Sequence, residues 1–333
     1  MLKLQTPVDV GRSRIGISYS DRIMVLGSCF ADNVGKKMAE CGFNVCVNPF
    51  GTLYNPVSVC SAVARLESGG PFTGEECVQM GSGSSLICSF SHHTSFARET
   101  AEEFLRHANG RLAEASEFYR SCGKVIVTLG TSWCYRHTGR DMIVSNCLKR
   151  DAKEFTRQRL DLQSEVDILA GMVRKASSGG TSRQFIFTVS PIRHLKDGAH
   201  GNLISKATLL LAEEEICGMF PGQCEYFPAY EIMMDELRDY RFYADDLLHP
   251  SPLAVQYLWE WFSAACFSAE TRRLTGELDA LQRDLAHRPF RPGSEAHQRF
   301  LEQLALKIEQ LKQKYPYLDL EKETSSCHTQ LNP

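Results

Sequence analysis

Arg22-Ile-Met-Val-Leu-Gly-Ser-Cys-Phe-Ala31 decides how the rest of this 333-residue chain is read. Its first five residues form a short, nearly continuous apolar run, the pattern of a parallel strand covered by helices on both faces. Gly27-Ser28 breaks the run, and a helical pattern follows over 30–41. Strand, tight turn and helix make the opening unit of an open α/β sheet.

The same alternation continues along the chain. Asn44-Val-Cys-Val47, Lys124-Val-Ile-Val-Thr-Leu129, Gln184-Phe-Ile-Phe-Thr-Val189 and Gln223-Cys-Glu-Tyr-Phe227 read as further strands. Helical patterns lie at 56–67, 99–120, 151–176 and 203–218. The expectation is a three-layer, flavodoxin-like parallel sheet of about five strands with helices on both faces. The long crossover holding Phe72-Thr-Gly-Glu75 and Leu86-Ile-Cys-Ser-Phe90 is expected as an insertion at the active-site rim. A helix over 252–265, capped by Ser251 with Pro252 in its first turn, closes a domain spanning 1–266.

Beyond it, Leu274, Leu278, Leu281 and Leu285, then Leu301, Leu304, Ile308 and Leu311, recur at spacings of three and four. Two such seams flanking Arg288-Pro-Phe-Arg-Pro-Gly293 predict an antiparallel helical hairpin over 267–315. Packing on its own domain is the simpler expectation, and a homodimer through these helices is the alternative. The polar tail, 316–333, is expected to be disordered.

Composition narrows the function classes. The net charge is −3 with no long basic run, so neither nucleic acid nor an anionic membrane surface is an expected partner. No apolar run approaches membrane-spanning length, and the first sixteen residues lack a secretory core. The 13 cysteines include no C-x-x-C pair, which argues against a zinc knuckle, and their odd number suits a reducing cytoplasm. No metal or cofactor is expected.

Two short stretches carry chemistry. Ser28 falls just beyond the carboxyl end of the first strand, where open sheets collect ligands, although Gly-Ser alone reads more readily as a helix cap than as a nucleophile. Asp246-Leu-Leu-His249-Pro can supply a general base and its orienting carboxylate from one turn, with Pro250 holding His249 out of the helix. Cys29 is the alternative nucleophile, and it faces away from the pocket if Ser28 faces into it.

Taken together, these blocks resemble the first and last motifs of the SGNH (GDSL-like) hydrolases. Gly27-Ser-Cys-Phe-Ala31, Asn48-Pro-Phe-Gly-Thr-Leu-Tyr-Asn-Pro56, Thr128-Leu-Gly-Thr-Ser-Trp133, Val189-Ser-Pro-Ile-Arg-His194 and Tyr243-Ala-Asp-Asp-Leu-Leu-His-Pro-Ser251 are similar, in order, to the motifs of the GSCFA family. The resemblance implies Ser28 as nucleophile, His249 as general base and Asp246 as its orienting acid. It further implies an oxyanion site in which Gly51 fits the glycine role. Asn48, Asn55 and Asn146 are substitutes for the asparagine usual after the third strand, where this chain has Gly130-Thr-Ser-Trp133.

His92, His93, Trp133, Arg193 and His194 are candidate pocket residues, with Tyr135 and Arg136 as further rim candidates. Asp245 is a weaker orienting acid than Asp246. The implied activity is hydrolysis of a small-molecule or carbohydrate ester through an acyl-serine. O-acyl transfer by the same triad, or a non-catalytic binding module on the same fold, are the alternatives.

Overall fold

The computed structural model describes residues 6–178, 182–290 and 294–331. Five strands, β1 (Arg22–Gly27), β2 (Asn44–Val47), β3 (Lys124–Leu129), β4 (Gln184–Val189) and β5 (Cys224–Tyr226), pair in the order 2-1-3-4-5, all parallel. In β1, β3 and β4 every residue after the first is buried, which is why their apolar runs are continuous. The order reverses between β1 and β3, and a crevice opens there beyond the strand ends.

Helices cover both faces. On one lie α2 (Pro56–Ser68), α3 (Ala101–Ser121), α4 (Leu162–Ser178) and α5 (Gly198–Met219), sharing a core with Met24, Val125 and Phe185. On the other lie α1 (Cys29–Glu40) and α6 (Pro252–Cys266), sharing a core with Ile23, Val25 and Ile126. Ser251 caps α6, accepting a hydrogen bond from Ala254 N at 3.3 Å, and Pro252 sits in the first turn.

The C-terminal helices α7 (Ala269–Ala286) and α8 (Glu295–Lys314) extend this second face. Arg273 bonds Tyr315 and Lys307 pairs with Asp284, so the two run antiparallel as their seams predict. All eight seam residues are buried in the core that holds Phe43 and Trp259. The apolar stripe that suggested a dimer therefore faces this chain's own domain. Within the turn between the helices, 291–293 lie outside the described residues.

Two expectations are corrected. The tail is not wholly irregular: α9 (Glu321–Leu331) packs beside α8, with Cys327 buried and its thiol 3.5 Å from the carbonyl of Leu301. One well-placed apolar residue per few turns anchors a helix whose polar composition gives little sign of it. The helix expected over 151–176 begins only at Leu162. Phe155–Arg159 is a strand, pairing antiparallel with Trp133–His137, which also pairs with Met142–Val144. This three-stranded sheet follows β3 and forms the true rim.

The earlier insertion supports that rim from behind. Its residues Val78, Met80, Cys88 and Phe90 are buried in the main core, and the Phe90 ring lies 5.0 Å from His137 and 5.8 Å from Phe155. Among the described residues no helix is long and apolar enough to cross a membrane.

Candidate active site

At the β1–α1 junction, two adjacent residues take opposite directions. Gly27 has φ +130°, and a Cβ there would lie 2.1 Å from the Thr128 carbonyl oxygen, so no other residue fits this crossing. Ser28, extended at φ −67° and ψ 176°, caps α1 by accepting from Phe30 N at 3.3 Å. Its Oγ also lies 3.0 Å from Thr128 Oγ1, and its N–H reaches both Thr128 oxygens at 3.0 Å. Ser28 is 1% exposed and hydrogen-bonded to Thr128 of β3 and to the first turn of α1. The next residue, Cys29, is partly exposed and lines a crevice at this end of the sheet, a cavity of about 650 Å³.

His249 lines the same cavity. Its Nδ1–H donates to Asp246 Oδ2 at 2.5 Å, while Asp246 Oδ1 accepts from the backbone N–H groups of Leu248 and His249 at 2.9 Å each. Those two backbone donors, then the imidazole, hold the Asp246 carboxyl down at about 2, so it stays ionised and fixes the ring tautomer. Leu247 adopts φ +59° to make the turn, a strained conformation for a leucine, costing about 1–2 kcal/mol. The turn is closed by Ala244 N–H on the His249 carbonyl at 2.8 Å. Asp245 is exposed and takes no part in this arrangement.

Among the described hydrogen bonds Ser28 makes none to His249, whereas Cys29 lines the cavity that holds His249, as do Thr131, Ser145 and Cys147. Burial pushes the Cys29 thiol up to about 11, with Asp32 adding to the rise. Its own amide, the Phe30 amide and Lys206 pull the other way. Lys206 lies wholly buried beneath the cavity, donating to the carbonyls of Gly130 at 2.7 Å and Ser190 at 2.8 Å. Burial lowers its ammonium to about 7.

Both expected oxyanion donors serve the scaffold. Gly51 N–H is spent on the Asn48 carbonyl at 2.8 Å, and the glycine itself makes room for His93, whose Cβ a Gly51 side chain would meet at 2.3 Å. Asn48 is tied at both ends, accepting from Gly27 N at 2.8 Å and donating to Asp32 at 2.6 Å. Asn55 lines the cavity instead. Its Oδ1 caps α2 through Ser58 N at 2.9 Å, which leaves its Nδ2 donors for a ligand. Asn146 also lines the cavity, its Oδ1 accepting from Leu148 N at 2.8 Å.

The remaining candidates divide. His92 is fully buried among Phe50, Phe72, Phe96 and Phe104, bonded to Ser89 Oγ at 2.6 Å and lowered to about 3 by that burial. It is a core residue. His93 accepts from Ser95 N at 3.3 Å at the start of a short 3-10 turn, off the cavity wall. Arg136 points elsewhere, to exposed Asp141.

Trp133, Tyr135, Arg193 and His194 all line the cavity. His194 packs edge-on to Tyr54, its N–H held by Asn202 at 2.9 Å, and burial lowers its ring to about 3. Sequence reading missed Arg157 and Lys196. The first lay inside a segment read as helix, and the alternation of Phe155-Thr-Arg-Gln-Arg159 was its only signal.

The fold and this site define an α/β protein whose cavity at the β1/β3 switch point unites a thiol with a carboxylate-oriented histidine. The GSCFA family model matches residues 22–262, and the chain belongs to that family. A second model, the C-terminal domain of GSCFA domain proteins, matches residues 278–333, which contain most of the hairpin and all of α9. No curated protein and no solved structure matches the chain.

Proposed function

We propose that this protein is an acyl-transferring ester hydrolase in which Cys29, rather than the neighbouring Ser28, is the nucleophile. The observation that carries the reading is that Cys29 and the Asp246-oriented His249 line one cavity at the sheet's switch point. The strand order and the order of the motifs support kinship with the SGNH hydrolases. Thirteen unpaired cysteines favour a reducing compartment.

Each step follows from the groups present. His249 Nε2 takes the Cys29 thiol proton as sulfur attacks the ester carbonyl, and Asp246 stabilises the imidazolium that results. The carbonyl oxygen becomes an oxyanion, and the Cys29 N–H at the start of α1 and the Asn55 Nδ2–H are the donors at hand. Collapse breaks the ester C–O bond, and the imidazolium protonates the departing alcohol. Water, deprotonated by His249, then cleaves the thioester and returns the thiol. A sugar alcohol in place of water makes the same cycle a transfer reaction. Tyr54, Trp133 and Tyr135 give the cavity the aromatic surface that a sugar ring or aryl ester packs against.

Hydrolysis of 4-nitrophenyl acetate by point variants tests this assignment. Cys29→Ala should abolish turnover, and Asp246→Asn should lower kcat by roughly 10²–10⁴. Ser28→Ala should keep most of the activity while losing about 1 kcal/mol of stability with its cap. A Ser28→Ala protein that folds but is dead, beside an active Cys29→Ala, would reverse the assignment.

A further inference from the structure

The chain carries a net charge of −3, yet five cationic side chains line the cavity, Lys149, Arg150, Arg157, Arg193 and Lys196, against one carboxylate, Asp197. Two of them are neutralised locally. Arg150 pairs with Glu154 at 2.8 Å, and Arg157 pairs with Asp197. Among the described residues Lys149, Arg193 and Lys196 have no ion pair, and Arg193 reaches the Met234 sulfur instead of a carboxylate. Arg157 and Lys196 moreover share one aromatic ring: the guanidinium lies 4.7 Å and the ammonium 5.1 Å from the centroid of Tyr135, whose hydroxyl also bonds Arg157.

Two cations on one ring with a single carboxylate leave one positive charge uncompensated, which a ligand anion would offset. Arg157 is held in place by Asp197, by the Tyr135 hydroxyl and by the Trp133 ring 5.2 Å away; both terminal nitrogens are engaged, and each keeps a second N–H in a fixed place for a ligand oxyanion. His194, Arg157 and His249 line the same cavity, so the cationic wall and the reactive end belong to one opening.

We propose that the cavity's ligand carries a carboxylate or a phosphate monoester, seated on Arg157 and Lys196 beside Tyr135, while its ester group lies at Cys29 and His249. The proposal rests on the acyl-transfer reading for what happens to that ligand, though not for the binding of its anionic group. An anion so placed orients the ester without taking part in bond breaking, and it selects charged esters over neutral ones.

Calorimetric titration of the full chain with phenyl phosphate, with benzoate and with neutral benzamide separates the possibilities. At least one anion should bind roughly tenfold or more tightly than benzamide, and the tighter anion names the group. Binding should weaken as salt rises toward 1 M, where screening shortens to about 3 Å. It should fall by a further tenfold or so in Lys196→Glu and persist in Lys196→Arg, both at an exposed position that tolerates substitution. The same anion should still bind Cys29→Ala. Equal binding of benzamide, or unchanged anion affinity in Lys196→Glu, overturns the proposal. Anion binding without turnover of any ester would leave it standing and remove the acyl-transfer reading, whereas turnover with no preference for a charged ester would do the reverse.

Discussion

Cys29 and Ser28 differ by one position and by their whole environment. The backbone sets the difference: an extended Ser28 at the N-cap turns its Oγ back to Phe30 N, and the first helical residue then meets the cavity. A thiol raised to about 11 by burial is protonated at neutral pH, so its reactivity depends on a base, unlike a thiolate–imidazolium pair already formed at rest. Alkylation of Cys29 by iodoacetamide, followed on its own peptide by mass spectrometry, should therefore be slow near pH 7. It should climb about tenfold per pH unit toward pH 10. A rate that levels off by pH 7 would contradict the buried-thiol account. The sequence pointed to this junction and to the distant pair Asp246 and His249, whose side chains are hydrogen-bonded to each other. Which of the two neighbouring side chains meets the cavity was not legible, because Gly-Ser-Cys carries no periodicity.

At the scale of elements, β1, β3 and β4 were legible, because a strand buried on both faces needs a continuous apolar run. The rim sheet was not. Phe155–Arg159 alternates polar and larger side chains, and its strand character comes from pairing with Trp133–His137 rather than from its own composition. The cost of missing it was Arg157.

The C-terminal hairpin was legible from its leucine spacing, but its partner was not, since a seam shows only that something is covered. The structure gives the partner as α1, α6 and their core. Leu281 is fully buried there, so Leu281→Ala should cost about 2–5 kcal/mol. Because hairpin and sheet share that core, the loss should lower one cooperative unfolding transition, read by denaturant titration with both far-ultraviolet dichroism and tryptophan fluorescence. Two separate transitions, with only the first moved, would mean that the hairpin stands apart.

At the scale of the whole molecule, composition averages away what matters most. A net charge of −3 hides a cationic cavity, because positive residues from the rim sheet and from the loop after β4 converge only when folded. The same convergence brings residues 29, 55 and 249 to one opening across most of the chain's length, with Asp246 bonded to His249. The central claim is that a covalent acyl group forms on Cys29. Its most direct test is to mix the protein with 4-nitrophenyl acetate, quench in acid within the first turnovers, and weigh the intact chain and then its peptides. The account predicts one acetyl group per chain, carried by Cys29 and absent from Cys29→Ala and His249→Gln. An acetyl group on Ser28, or turnover with no acetylated chain at any time, would contradict it.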